Sequence, residues 1–252
     1  MSLATLALLF VAGIGGGALS AAAGGASFLT FPALIFAGLS PLAANASNFV
    51  ALLPAQPTAL VTSYRDELRA VRHTIGPSLV TATIGGLAGA ALLLLTGEAS
   101  FSRFVPWLML LATSMFAAGP RIQSFLALRM RGRLAASGWL CQSFILVFAI
   151  YTGYFGAGVG MMLLGFLAAF GYEDIHEANA VKNAVVMASS ISATALYGLS
   201  GPVAWIPAVT MMAGAIGGAY LGGVISKRAP RELLRNGMII LGLAFTAYLF
   251  IR

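Results

Sequence analysis

Apolar residues run along this chain in long unbroken stretches, not in strand-like alternation. A helix needs about 20 apolar residues to span hydrocarbon. Eight runs approach that length: 3–22, 41–64, 76–95, 101–119, 137–157, 178–198, 203–225 and 235–251. Two shorter apolar pieces, 25–37 and 159–170, follow the first and fifth runs. Each is entered through dense glycine. Gly13, Gly15, Gly16, Gly17, Gly24 and Gly25 precede the first, and Gly153, Gly156, Gly158 and Gly160 precede the second. Glycine weakens a continuous helix, so the pattern predicts two hairpins of helix, break and short helix. The expected fold is an all-α polytopic membrane protein with about eight long transmembrane helices and two short broken or re-entrant helices.

Composition narrows the picture. Of 252 residues, 60% are hydrophobic and 8% charged, against about 45–50% and about 25% in a soluble domain. Too few charges remain to cover a soluble or a disordered surface. The formal charge of +7 reads as topology and not as affinity for nucleic acid, because the basic residues cluster in short gaps. Arg65, Arg69 and Arg72 fill one gap; Arg121, Arg129, Arg131 and Arg133 another; Lys227, Arg228, Arg231 and Arg235 a third. The positive-inside rule assigns these gaps to the cytoplasm and both termini to the outside. Met1 to Phe10 holds no Lys or Arg, so no secretory signal is expected. Cys141 is the single cysteine, which excludes an internal disulfide. No catalytic, metal or cofactor motif stands out: Gly13-Ile14-Gly15 and Gly156-Ala157-Gly158 lie inside apolar runs with no strand before them. A non-enzyme without metal or cofactor is expected.

The chain also repeats itself. Asn45-Ala46-Ser47-Asn48 resembles Asn179-Ala180-Val181-Lys182-Asn183, each after a glycine break and a short apolar piece. Thr58-Ala59-Leu60 echoes Thr194-Ala195-Leu196, and Gly85-Gly86 echoes Gly217-Gly218. The expected organisation is a first repeat at 1–120 (hairpin plus three transmembrane helices), a basic cytoplasmic linker at 121–133, and a second repeat at 134–252, together one transmembrane domain. Matching gaps carry opposite charge character: the gap after the first Asn-bearing helix is basic and its counterpart at 199–202 is neutral. That predicts inverted repeats, an arrangement common among secondary transporters.

Polar residues inside apolar runs are the candidates for function, since they must face protein or a wet cavity. Four of the five asparagines sit in the repeated motif. Asn45, Ser47, Asn48, Asn179, Lys182 and Asn183 are the candidate ligand-binding set, with Gln56 between Pro54 and Pro57 and with Gly24, Gly25 and Gly158 bordering the breaks. With the second asparagines in register, Ser47 stands opposite Lys182, which makes the site asymmetric in charge. Snorkelling to the interface or pairing with Glu177 are the alternatives for Lys182. An ammonium beside amide donors and a half-helix N-terminus favours an anion. Ser27 and Thr30 offer hydroxyls or bond their own backbone. Glu173, Asp174, His176 and Glu177 fit N-terminal capping of the helix they open.

The stretches GGGALSAAAGGASFLTFPALIFAGLSPLAANASN (15–48), GYFGAGVGMMLLGFLAAFGYEDIHEANAVKN (153–183) and GAIGGAYLGGVISKR (214–228) resemble the sulfite exporter TauE/SafE family of membrane transporters. The resemblance spans nearly the whole chain. It implies a small sulfur-containing oxyanion as substrate, sulfite or an organosulfonate, moved by alternating access, and a bacterial inner-membrane location. Thiosulfate or another small anion is an alternative substrate, and a passive anion channel an alternative mechanism. The expected partners are the small anionic substrate, the lipid bilayer and a coupling ion, proton or sodium. The small-residue faces suit internal packing and a homodimer alike. No nucleic-acid partner is expected.

Overall fold

A computed structural model describes residues 1–22, 25–57, 65–71, 75–129, 138–170, 172, 174–225 and 231–251. The described residues form α1 (Leu3–Ala22), α2 (Ser27–Phe36), α3 (Pro41–Leu52), α4 (Arg65–Val71), α5 (Gly76–Arg129), α6 (Gly138–Tyr154), α7 (Val159–Ala169), α8 (Ile175–Ser200), α9 (Trp205–Ile225) and α10 (Arg231–Ile251). Both expected breaks are present. Gly25 separates α1 from α2 at φ +89°, and Gly156 and Gly158 separate α6 from α7 at φ +75° and +76°. A β-carbon is strained in that region of backbone space.

Four stretches among the described residues are long and apolar enough to cross a membrane: Leu3–Ser20, Gly76–Ile122, Trp205–Gly222 and Leu234–Ile251. The second is two helices in one, joined by a kink at Gly97 with φ +71° and ψ 168°. By that measure, among the described residues, not every one of the eight runs read from the sequence forms such a stretch. The 41–64 run breaks after Leu52, where Pro54 lacks an amide hydrogen to continue the helix. α6 has 17 residues. α8 has 26 residues but opens on His176, Glu177, Asn179, Lys182 and Asn183. The 121–133 segment is helical as far as Arg129, as the end of α5.

Small residues set the packing. α1 lies along α9, where a β-carbon at Gly13 would strike the Met211 backbone and one at Gly218 the Ile14 backbone. α6 lies along the first half of α5 in the same way, with Gly153 against the backbone of Gly86 and Gly89 against that of Ile150. Close backbone approach of this kind drives helix association where no hydrophobic effect operates between helices. The helix that opens each hairpin therefore packs on a helix from the other half of the chain.

The interior is aromatic. Phe31 makes edge contacts with Phe155 at 5.6 Å and with Phe245 at 6.0 Å. Outside, Leu3, Leu95, Leu199, Ile206, Ile240 and Ile251 are largely exposed. Trp107, Trp139 and Trp205 also point outward. An apolar exterior over a core that holds buried asparagines reverses the distribution of a water-soluble protein and marks a multi-pass membrane protein.

Candidate functional site

The site grows from two helix starts. Ser40 caps α3, its Oγ accepting from the Ala43 amide at 3.5 Å, and Pro41 occupies the first helical position. The Ser40 hydroxyl in turn donates to Glu98 Oε2 at 2.6 Å, and Glu98 Oε1 accepts from the Leu42 amide at 3.4 Å. The α5 kink thus holds the start of α3. Asp174 caps α8, accepting from the His176 amide at 2.8 Å, the capping role read for this acidic cluster. Glu173 lies outside the described residues.

Counting from these caps gives the register of the two motifs. Asn45 and Asn179 fall at the same position of their helices, and so do Asn48 and Lys182. The pairing of Ser47 with Lys182 read from the sequence is therefore replaced. Alignment on the second asparagines slips one position, because the second motif has one more residue between its asparagines. Ser47 matches Val181, and Lys182 stands where the first half has Asn48.

The motif residues of α3 are buried and spent on specific bonds. Asn45 Nδ2 donates to the Tyr154 carbonyl at 3.0 Å, at the end of α6. Ser47 Oγ accepts from the Ala204 amide at 2.9 Å, just before α9. Both bonds tie the first half of the chain to the second. Asn48 works within its own hairpin: Nδ2 donates to Ser27 Oγ at 3.1 Å, and Oδ1 accepts from Thr30 Oγ1 at 2.5 Å. The Thr30 hydroxyl also lies 3.1 Å from the Ala26 carbonyl.

On α8, Lys182 Nζ donates to Asn179 Oδ1 at 2.8 Å. Its alkyl stem runs past Gly160 of α7. The contact with Asn179, three residues earlier on the same face, stands in place of the Glu177 pairing weighed from the sequence. Asn183 is half-buried one residue further on.

A cavity of about 60 Å³ opens between the halves. Its polar wall is Ser27, Asn48 and Gln56 from the first half and Thr152, Gly156 and Ser190 from the second. Phe49, Leu52, Phe155 and Val186 complete it. Among the described residues, no charged side chain lines it. Gln56 Nε2 donates to Ser190 Oγ at 3.2 Å, while Gln56 Oε1 is buried without a hydrogen-bond partner among the described residues. Such an orphan acceptor costs about 1–3 kcal/mol and points to a missing partner. Thr152 donates to its own helix, to the Phe148 carbonyl at 2.7 Å, leaving acceptor capacity.

Of the residues singled out in the sequence, the structure brings Ser27, Asn48 and Gln56 to this cavity. Asn45, Ser47, Asn179, Lys182 and Asn183 are not in its wall. Lys182 is nonetheless on the face that forms it: Lys182, Val186 and Ser190 recur every four residues on α8, so Lys182 sits about 6 Å along the axis from Val186. Gly25 and Gly158 serve conformation and packing. A β-carbon at Gly158 would press on the Ala112 carbonyl. Gly24 lies outside the described residues. Thr152 and Ser190 were missed, because hydroxyls in apolar helices so often bond their own backbone that they carry no signal.

A polar cavity inside an apolar-skinned helical bundle, walled by broken helices from both halves, defines the class: this is a membrane transporter. The chain belongs to the sulfite exporter TauE/SafE family, whose model matches residues 9–249. It is similar to a probable membrane transporter protein of Haemophilus influenzae, 30% identical over 245 residues, covering 96% of this chain and 93% of the relative. The probable membrane transporter protein YfcA of Escherichia coli is 26% identical over 249 residues, covering 97% and 89%. The probable membrane transporter protein ORF9 of a Sinorhizobium species is 24% identical over 240 residues, covering 95% and 90%. No solved structure matches the chain.

Proposed function

We propose that this protein is a secondary transporter of a small sulfur-containing oxyanion, sulfite or a small organosulfonate, held in the cavity between the two hairpins. The observation that carries the reading is the composition of that cavity: hydroxyls from both halves, amides from the first, and no charged side chain among the described residues. The family's name supports the substrate class, and the transporter relatives support transport.

Ser27, Asn48, Gln56 and Ser190 supply donors to the substrate's oxygens, which are acceptors. Lys182, a turn away on the same face of α8, supplies attraction for an anion without sealing it in an ion pair. The Asn179 and Lys182 contact stands at the position of α8 that corresponds to Asn45 and Asn48 of α3, and rocking of the two halves around the fixed cavity is the alternating-access step. The two halves, 1–120 and 134–252, each a hairpin followed by further helices, act as inverted repeats in a bundle of about eight spans. The cross-half bonds of Asn45, Ser47 and Gln56 are the contacts remade as the halves rock. A proton or sodium gradient drives the cycle in the bacterial inner membrane, with the basic gaps cytoplasmic.

Proteoliposome flux tests this. Sulfite transport is expected to saturate with concentration, to follow an imposed ion gradient and to fall at least tenfold in Asn48→Ala. Flux that never saturates and ignores every gradient identifies a passive channel.

A further inference from the structure

Among the described residues, Lys182 carries a charge without a counter-charge. Its ammonium has a single bond, to the neutral Asn179 Oδ1, and makes no ion pair. The first hairpin shows the contrast. Ser27 follows the left-handed Gly25 by two residues, and Gly160 follows the left-handed Gly158 by two. Ser27 bonds Asn48. Gly160 instead meets the stem of Lys182, where a β-carbon would lie 3.7 Å from Cδ. The same two positions touch in both hairpins. The first contact is a neutral hydrogen bond, and the second lays a cation along the apolar α7.

Proton relays within membranes are built from Asp, Glu and His. Here none of the seven acidic residues and neither histidine falls inside an apolar run. Of the elements packed on α8, α3 and α7 hold no titratable side chain. α4 brings Arg65, Asp66, Glu67 and Arg69, with Asp66 paired to Arg69. α5 brings Glu98, which Ser40 holds, and Arg103, Arg121 and Arg129. α6 brings Cys141, Tyr151 and Tyr154, and the two tyrosine hydroxyls bond the Ala157 carbonyl and Thr96. On α8 itself, His176 and Glu177 lie in the first turn, and the Tyr197 hydroxyl bonds the Gly153 carbonyl. Among the described residues, none of these groups bonds Lys182. The amine of Lys182 stands where other transporters place an acid or a histidine.

An unpaired charge away from water is costly. Two events remove that cost at Lys182: an anion enters the cavity a turn away, or the proton leaves Nζ. With anion and proton both present, the charges sum to zero. With both gone, the neutral amine and the empty cavity also sum to zero. Either one alone leaves a single charge inside the bundle. The halves therefore rock in the two neutral states. Resting on the transport reading of the cavity, we infer that Lys182 couples transport to the proton: a monoanion in the cavity and a proton on Nζ are taken up together, both are released on the other side, and the protein returns with Lys182 as the neutral amine. The coupling ion is a proton and not sodium, and the cycle moves no net charge.

The test uses a monoanion whose charge does not change with pH. Uptake of radiolabelled methanesulfonate, with sulfite beside it, is measured in proteoliposomes of the full chain together with internal pH from trapped pyranine. Potassium and valinomycin set the membrane potential. The unaltered protein is expected to move about one proton per methanesulfonate and to accumulate it about tenfold per pH unit of an inside-alkaline gradient. It is expected to ignore the potential and a sodium gradient. In Lys182→Arg the guanidinium stays charged, so the anion flux that remains is expected to carry no coupled proton and to follow the potential. Where sulfite alone is carried, the unaltered protein is expected to move about one proton per anion more than Lys182→Arg. Saturable flux without proton movement, flux driven by sodium or by the potential in the unaltered protein, or the same proton count in Lys182→Arg overturns the inference and leaves the transport reading standing. Absence of saturable flux of either anion overturns both. The measurements on the unaltered protein decide the matter even if Lys182→Arg fails to fold.

Discussion

Gln56, just beyond the end of α3, and Ser190, within α8, are hydrogen-bonded to each other at 3.2 Å, and they lie equally far along the chain from the caps Ser40 and Asp174. The contact, separated by 134 residues in sequence, joins the residues that follow α3 to α8 at the cavity. Leu52 and Val186, one turn earlier in each half, also share the wall of the cavity. The cavity sits on this contact between the first and second halves of the chain.

That contact has an energy that can be read. Replacing Gln56 by Leu and Ser190 by Ala, singly and together, forms a double-mutant cycle. We expect a coupling of about 0.5–1.5 kcal/mol in thermal or denaturant unfolding in detergent. Additive losses would mean the two side chains do not bond in the stable conformation.

Asn48 carries more. It is buried and satisfies both Ser27 and Thr30. Asn48→Ala leaves two hydroxyls without their partner and is expected to lower stability by about 1–3 kcal/mol, seen as a lower melting temperature. Thr30→Val removes one of those bonds and, keeping the shape of the side chain, is expected to cost less than Asn48→Ala.

The asparagine hairpins were legible because amides are rare in this chain and because glycine density announces a break. The helix limits followed from apolar run length, except where local chemistry intervened. The 41–64 run shows no loss of apolar character where α3 ends, and the stop comes with Pro54, whose nitrogen carries no hydrogen to continue the helix. Register was the hard part. Two motifs with unequal spacing align on either asparagine, and the caps Ser40 and Asp174 decide it. Long-range partners left no trace in sequence. Asn45 meets the backbone of Tyr154, and backbone carbonyls have no sequence signature.

The small-residue faces give a sharp contrast. Gly218 presses on the Ile14 backbone, while Gly217 beside it faces open space. Gly218→Ala is expected to push α1 from α9 and lower the melting temperature markedly. Gly217→Ala is expected to be neutral or to stabilise by up to about 1 kcal/mol through helix propensity. Equal effects at the two positions would contradict the packing described.

Lys182 separates attraction from architecture. Its ammonium bonds Asn179, and placing a lysine in an apolar helix costs about 2.5–3.5 kcal/mol on insertion scales. Lys182→Met is therefore expected to keep or raise stability while anion flux falls at least tenfold, with partial recovery in Lys182→Arg. Unchanged flux would remove Lys182 from the pathway and return it to a structural role.

The central claim is that the cavity beside Gln56 and Ser190 carries the substrate. It is tested most directly by counterflow of radiolabelled sulfite in proteoliposomes of the unaltered protein and of Asn48→Ala and Gln56→Leu, matched for inserted, folded protein. The account predicts saturable counterflow in the unaltered protein and a loss of at least tenfold in both variants. Counterflow at the unaltered rate in both variants would contradict it and place the substrate path elsewhere in the bundle.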